Sequence, residues 1–156
     1  MKTNRVFLDT NILMNDFLHR FPQFARLPDD VNRLHCANAI QHVRRNRLFK
    51  TYIASFSIAR LVSSLESLRV PKNIVVQEIE RLLAKNNVVN LTASLISNAT
   101  DLFKNDPLLT DFEDAFQYAV CRNNDCYYLL TLNIKDFRHF QSIVVVHPVK
   151  YRIMVV

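Results

Sequence analysis

The stretch Arg5-Val6-Phe7-Leu8-Asp9-Thr10-Asn11 decides how this chain is read. Val6-Phe7-Leu8 is wholly apolar and stops in three small polar residues, after which apolar residues recur at helical spacing. Such a pattern describes a buried parallel strand meeting its crossover helix. In open α/β sheets ligands bind beyond the carboxyl ends of the strands. Asp9 is therefore expected where a functional carboxylate would stand. A single Asp at a strand end is also common in ordinary loops, so the weight of this reading depends on whether other strand ends repeat it.

On the C-terminal side, Leu13, Phe17, Phe21 and Phe24 recur at spacings of four, four and three, which predicts an amphipathic helix interrupted near Pro22. Pro28-Asp29-Asp30 predicts a second helix start, with acids in its first turn. That helix runs to about Arg47 and ends in a cationic segment. His35 and His42 lie two turns apart beside Cys36, but no compact set of ligands accompanies them, so they read as a solvated helix face. Thr51-Tyr52-Ile53-Ala54 is the second strand, stopping at Ser55-Phe56-Ser57. Ile58, Leu61, Val62, Leu65 and Leu68 mark a helix ended by Pro71, and Ile74, Val75, Ile79, Leu82 and Leu83 mark another. A short strand over 87–91 follows, then a helix capped by Thr92.

Asp111-Phe112-Glu113-Asp114 opens the next helix, whose core stripe is Phe112, Ala115, Phe116, Ala119 and Val120. Asp111 and Asp114 share a face beside that stripe, although acids suit the first turn of any helix. The fourth strand, Cys126-Tyr127-Tyr128-Leu129-Leu130, again stops in a polar cluster that holds Thr131, Asn133 and Asp136. Ile143-Val144-Val145-Val146 is the fifth strand, ended by His147-Pro148. The β-prone segment 151–156 reads as an edge strand or an oligomer contact.

Strands alternating with helices imply a parallel sheet covered on both faces, and right-handed crossovers bring the carboxyl ends of its strands to one edge. Asp9, Asp111, Asp114, Asp136, Asn11 and Asn133 then converge there. Clustered carboxylates repel one another unless a cation neutralises them or some hold protons. An all-oxygen site of this kind suits Mg²⁺ or Mn²⁺.

The chain has 156 residues, 49% of them apolar, which suits one folded domain over 1–156. The longest apolar run near the start is three residues, so no signal peptide is expected, nor any membrane span. Cys36, Cys121 and Cys126 form no CxxC pair and read as free thiols of a cytoplasmic protein. There is no glycine, which excludes Gly-rich phosphate loops. It also leaves positive-φ breaks to Asn86-Asn87, Asn123-Asn124 and Asn105-Asp106-Pro107. A net charge of +6 points to a polyanionic partner. Arg44, Arg45, Arg47 and Lys50 are the densest basic stretch and the candidate RNA contacts.

Leu8-Asp9-Thr10-Asn11, Asp111-Phe112-Glu113-Asp114-Ala115 and the segment from Leu130 through Asn133 to Asp136-Phe137 together resemble the PIN-domain nucleases, which include the VapC-type toxins of bacterial toxin–antitoxin pairs. The resemblance covers nearly the whole chain. It implies a three-layer α/β/α sandwich on a mainly parallel sheet of roughly five strands, with divalent-metal-dependent ribonuclease activity. It implies Asp9, Asp114 and Asp136 as catalytic residues, Asp9, Asp111, Asp114, Asn133 and Asp136 as metal ligands for Mg²⁺ or Mn²⁺, and Asn11 and Thr131 as supporting hydrogen-bonding residues. The implied partners are RNA, a small antitoxin and a second copy of the chain. One departure stands out. Family members often carry a Glu about one turn into the helix after the second strand, where this chain has Arg60. Glu66 lies six residues further on, roughly 9 Å along the helix. The alternative function is therefore a weakened or inactive PIN-like domain that binds RNA or protein.

Overall fold

Five short strands lie side by side in the computed structural model, which describes residues 4–28, 30–137 and 139–155. They are β1 (Asn4–Leu8), β2 (Phe49–Ala54), β3 (Asn87–Val89), β4 (Tyr128–Leu130) and β5 (Val144–Val146), in the order β3-β2-β1-β4-β5. Every pairing is parallel. The helices are α1 (Thr10–Arg20), α2 (Val31–Arg45), α3 (Ser55–Ser67), α4 (Lys72–Lys85), α5 (Ala93–Asn105), α6 (Phe112–Asn123) and α7 (Ile134–Phe137). Two 3-10 helices, Pro22–Phe24 and Pro148–Ile153, complete the described elements.

Successive strand residues face opposite sides of the sheet, and β1 feeds both layers. Val6 and Leu8 pack with Leu13, Phe17, Ile40, Leu61 and Leu82 of α1–α4. Phe7 packs on the other face with Leu95, Ala115, Ala119 and Phe137 of α5–α7. All three β1 residues are fully buried, each contributing about 1.5–3 kcal/mol by leaving water. The result is the expected three-layer α/β/α sandwich. Among the described residues no helix is long and apolar enough to cross a membrane.

The layer over Val6 and Leu8 is also tied by charge. Asp16 of α1 and Glu78 of α4 are both buried. Arg20 donates to both Glu78 oxygens at 2.8 Å and to Asp16 at 3.3 Å. Arg81 donates to Glu78 at 2.8 and 3.0 Å and to Asp16 at 2.7 Å. Two guanidiniums thus satisfy two buried carboxylates that neither helix could tolerate alone.

Several local expectations need correction. Phe21 and Phe24 lie beyond α1, which stops at Arg20; they pack instead against Phe17, Phe21 tilted and Phe24 stacked, with ring centroids 4.9 and 6.3 Å away. The second helix starts after Asp30, whose side chain accepts from Asn32 N, rather than at Pro28; Asp29 lies outside the described residues. The segment expected as a strand over 151–156 is largely the end of a 3-10 helix, with Val156 outside the described residues. His147 opens that turn by accepting from Val149 N, and Pro148 at its start cannot donate to a sheet ladder. His42 is not on a solvated face. It is half-buried between Phe49 and Tyr151, with Nε2 3.3 Å from the Met154 carbonyl.

The asparagines do not take the positive-φ role either. Asn86 and Asn124 have negative φ, and each side-chain amide donates to the carbonyl four residues back, Leu82 and Val120, at 2.9 Å. The left-handed positions fall to Arg69 (φ 58°) and Asp125 (φ 48°). Both stand just past a helix end, where the next two amides turn back. Arg69 N donates to Glu66 O and Val70 N to Leu65 O; Asp125 N donates to Arg122 O and Cys126 N to Cys121 O. These are Schellman closures, made without the glycine they normally favour.

Candidate catalytic cleft

The strand order reverses direction at β1. The chain moves from β1 to β2 and β3 on one side, and β4 and β5 fill the other. Helices on either side of such a switch diverge and leave a crevice at the carboxyl ends of the two central strands. Those strands are β1 and β4, with Leu8 opposite Leu130. The next residues along, Asp9 and Thr131, are therefore neighbours.

Asp9 N continues the ladder by donating to Leu130 O at 3.1 Å. Asp9 precedes α1, yet its side chain makes no capping bond to that helix. The carboxylate instead accepts from Thr131 Oγ1 at 2.6 Å and from Asn11 Nδ2 at 2.7 Å, both on Oδ2. Thr131 Oγ1 accepts in turn from Asn133 N at 3.0 Å, which directs its one proton toward Asp9. Asn11 Oδ1 accepts from Leu132 N at 3.3 Å, so the same Asn braces the loop after β4. Burial pushes the Asp9 carboxyl above its ordinary range, while the bonds from Thr131 and Gln117 pull the other way.

Asp9 opens into a cleft of about 250 Å³ that Asp111, Asp114, Asn11, Asn133 and Arg60 also line. Asp114 is pushed up to about 7, first by burial, then by the charges of Asp136, Asp111 and Asp9. Arg60 opposes that shift. Asp111 is the cap of α6, accepting from Glu113 N at 2.8 Å, so part of its role is structural. Asp136 is half-buried on α7 and acts on Asp114 through its charge, but it is not among the residues that line the cleft. The sequence-derived acids are thus brought to one edge of the sheet from β1, α6 and α7.

Arg60 does reach this edge. Its guanidinium pairs with Glu113, one position before Asp114. Glu113 and Gln117 are cleft residues that sequence reasoning passed over. The available signal was spacing: Glu113 and Gln117 are one turn apart, and Gln117 follows Asp114 by three.

Among the described residues, no group of three or more His, Cys, Asp or Glu side chains is gathered as a metal shell. The donor chemistry nevertheless fits a hard divalent cation. The donors are oxygens, the carboxylates hold excess negative charge together, and Gln117 Oε1 and Thr10 Oγ1 are enclosed in the cleft wall without a hydrogen-bond partner.

The basic candidates separate. Arg44 and Arg45 line one cavity, Arg45 and Arg47 an adjoining one, and Lys50 lines neither.

Solved toxin–antitoxin proteins share this architecture. VapBC2 from Rickettsia felis, bound to a DNA fragment from its promoter, matches with a TM-score of 0.66 at 16% identity, covering 92% of this chain and 98% of that one. A toxin–antitoxin complex from Klebsiella pneumoniae gives 0.62 at 19% identity, over 92% of this chain and 97% of that one. VapC20 from Mycobacterium tuberculosis, a toxin that cleaves the sarcin–ricin loop, gives 0.58 at 17% identity, over 80% and 86%. No protein-family model and no curated protein matches the chain. Likeness at these identities is likeness of fold, and the fold of this chain is that of the VapC-type PIN domains.

Proposed function

We propose that the chain is a divalent-metal-dependent ribonuclease that acts as the toxin of a toxin–antitoxin pair. The observation that carries this reading is the Asp9 carboxylate, held at the switch point by Thr131 and Asn11 and facing Asp114 in an acidic cleft. An acidic cleft in a chain of net charge +6 suits a polyanionic substrate, whose phosphates are drawn to the exterior while the reacting phosphate needs a cation.

Asp9, Asp111, Asp114, Asn133 and Asp136 are the residues that would hold Mg²⁺ or Mn²⁺. When bound, the metal supplies an activated water and positive charge for the phosphate oxygens. Thr131 and Asn11 fix Asp9 before any substrate arrives, so no reorganisation is needed during reaction. Asp114, pushed up to about 7 by burial and by its acidic neighbours, would be held ionised once a cation neutralises them, so metal binding near neutral pH should release a proton. The fold likeness to toxin–antitoxin complexes supports a small antitoxin as partner, and three free cysteines suit a cytoplasmic location.

Asp9→Asn tests the reading, because it removes charge and almost no volume. Manganese-stimulated cleavage of single-stranded RNA should disappear while circular dichroism and the melting transition persist. Cleavage at the wild-type rate in this variant would refute the assignment.

A further inference from the structure

About 15 Å along α1 from the cleft, at the far end of that helix, the buried ion network is one anion short. Arg20 and Arg81 are matched by Asp16 and Glu78. Arg44 of α2 lies against the same network, where the charges of Arg81, Arg20, Asp16 and Glu78 all act on it. Its Nε and Nη2 are shut off from solvent with no hydrogen-bond partner. Those two nitrogens form the edge of a guanidinium that grips oxyanions side-on. Among the described residues neither Arg44 nor Arg45 makes an ion pair. Burial, then Arg81, lowers Arg44 to about 10, the mark of a cation lacking its counter-charge.

This corner is open. A cavity of about 480 Å³ is lined by Arg20, Arg44, Arg45 and Arg81, with Asn38 and Gln41. Four guanidiniums face the single carboxylate in that lining, Asp16. A second cavity, of about 420 Å³, shares Asn38, Gln41 and Arg45 with the first and adds His42 and Arg47. Its polar side chains are donors and cations, while Ala37, Ile40 and the aliphatic stems of the long side chains supply more apolar than polar wall. Nucleic acid interfaces are polar and positive. Two adjoining cationic cavities also suit a strand with a charge at every residue better than a lone ion.

We propose that the Arg44 and Arg45 cavities are a phosphate-binding track for the backbone of single-stranded nucleic acid, outside the catalytic cleft. The inference rests on the nuclease reading only in taking RNA as the strand bound. A phosphate seated in the cavity supplies counter-charge to Arg44 across the wall that encloses Nε and Nη2, and exposed Arg45 makes the direct contact and carries the track into the second cavity. Arg20 and Arg81 stay bound to their carboxylates and set the local potential.

The test uses Arg44→Met, which keeps the aliphatic stem and removes the charge, and Arg45→Gln, whose exposed side chain leaves folding untouched. In the Asp9→Asn background with chelator present, binding of a labelled single-stranded RNA is measured across salt concentrations. Each variant should bind about tenfold more weakly, the loss expected for one charge-assisted contact. The magnitude of the salt slope should also fall by about 0.7, as for one phosphate on a single strand. Inorganic phosphate at matched ionic strength should raise the melting temperature of the parent protein and not that of Arg44→Met. Unchanged RNA affinity and slope in both variants overturns the proposal. So does phosphate stabilisation without any RNA effect, which marks a free-phosphate site. Stronger protection by polyglutamate than by RNA also overturns it, and marks a protein partner. Wild-type cleavage without Arg44-dependent binding leaves the nuclease reading standing and ends this one. Arg44-dependent binding without cleavage by the wild type does the reverse.

Discussion

Asp114→Asn should make this protein more stable, and only at neutral and alkaline pH. The Asp114 carboxyl titrates at about 7 in the folded chain against an ordinary 3.8. Between those values the native state binds a proton that the unfolded state has lost. Stability therefore falls as pH rises from about 4 through 7, because the slope follows the protons bound by the unfolded state minus those bound by the native state. Three units at about 1.4 kcal/mol each set a ceiling of about 4 kcal/mol. Asp114 is half-buried on an open cleft, so solvent screening reduces this to about 1–2 kcal/mol. Asn also forgoes the favourable interaction of an acid in the first turn of α6, worth about 0.3–1 kcal/mol. The net expectation is a gain of about 1 kcal/mol above pH 8, shrinking to nothing or a small loss near pH 4. Urea denaturation followed by circular dichroism at pH 4.5, 6, 7 and 8.5, at constant ionic strength, resolves a difference of this size. Parallel pH profiles for wild type and variant, or a variant less stable at pH 8.5, would refute the reasoning. That result would mean that the neighbouring charges do not press on Asp114. The same charges make a second readout. Millimolar Mn²⁺ at pH 7.5 should raise the melting temperature of the wild type and have little effect on Asp114→Asn.

Arg69→Gly should stabilise the fold by about 0.5–1 kcal/mol, because Arg69 holds a left-handed φ of 58° that costs a side-chain-bearing residue strain; a lower urea midpoint would contradict it. Glu78→Gln should cost about 2–4 kcal/mol, since it leaves Arg20 and Arg81 with only one of their two shared buried carboxylates, Asp16; a loss below about 0.5 kcal/mol would show that the network contributes little. Arg60→Gln releases Glu113 and removes a cation from the cleft wall, so Mn²⁺ affinity by calorimetry should rise about fivefold, from roughly 1 kcal/mol of repulsion removed. Equal affinity in variant and wild type would mean that the Arg60–Glu113 pair has no bearing on metal binding.

Fold class was legible in the chain because it depends on local pattern. Val6-Phe7-Leu8 and Leu129-Leu130 are apolar enough to be buried on both faces, and each strand end breaks into polar residues. That was sufficient to place Asp9 at a strand end and Asp114 at a helix start. The helix stops were less legible. Without glycine, two rules compete for the same position, and the chain put Arg69 and Asp125 in the left-handed turns while asparagines capped carbonyls through their side chains. Those choices depend on what the next two amides bond, which no single residue reveals.

What only the tertiary structure decided are the contacts between distant segments. Thr131 binds Asp9 across 122 positions because β4 pairs with β1 in a register that sets Leu130 opposite Leu8. A slip of one residue would turn every side chain of β4 to the other face. Arg60 meets Glu113 because α3 and α6 border the same cleft, and Arg44 meets the Asp16–Glu78 network because α1, α2 and α4 pack over one face of the sheet. In sequence each of these is a lone charge with an ordinary solvated reading. Packing removes the water, and a desolvated charge must then find a partner, shift its pKa or await a ligand.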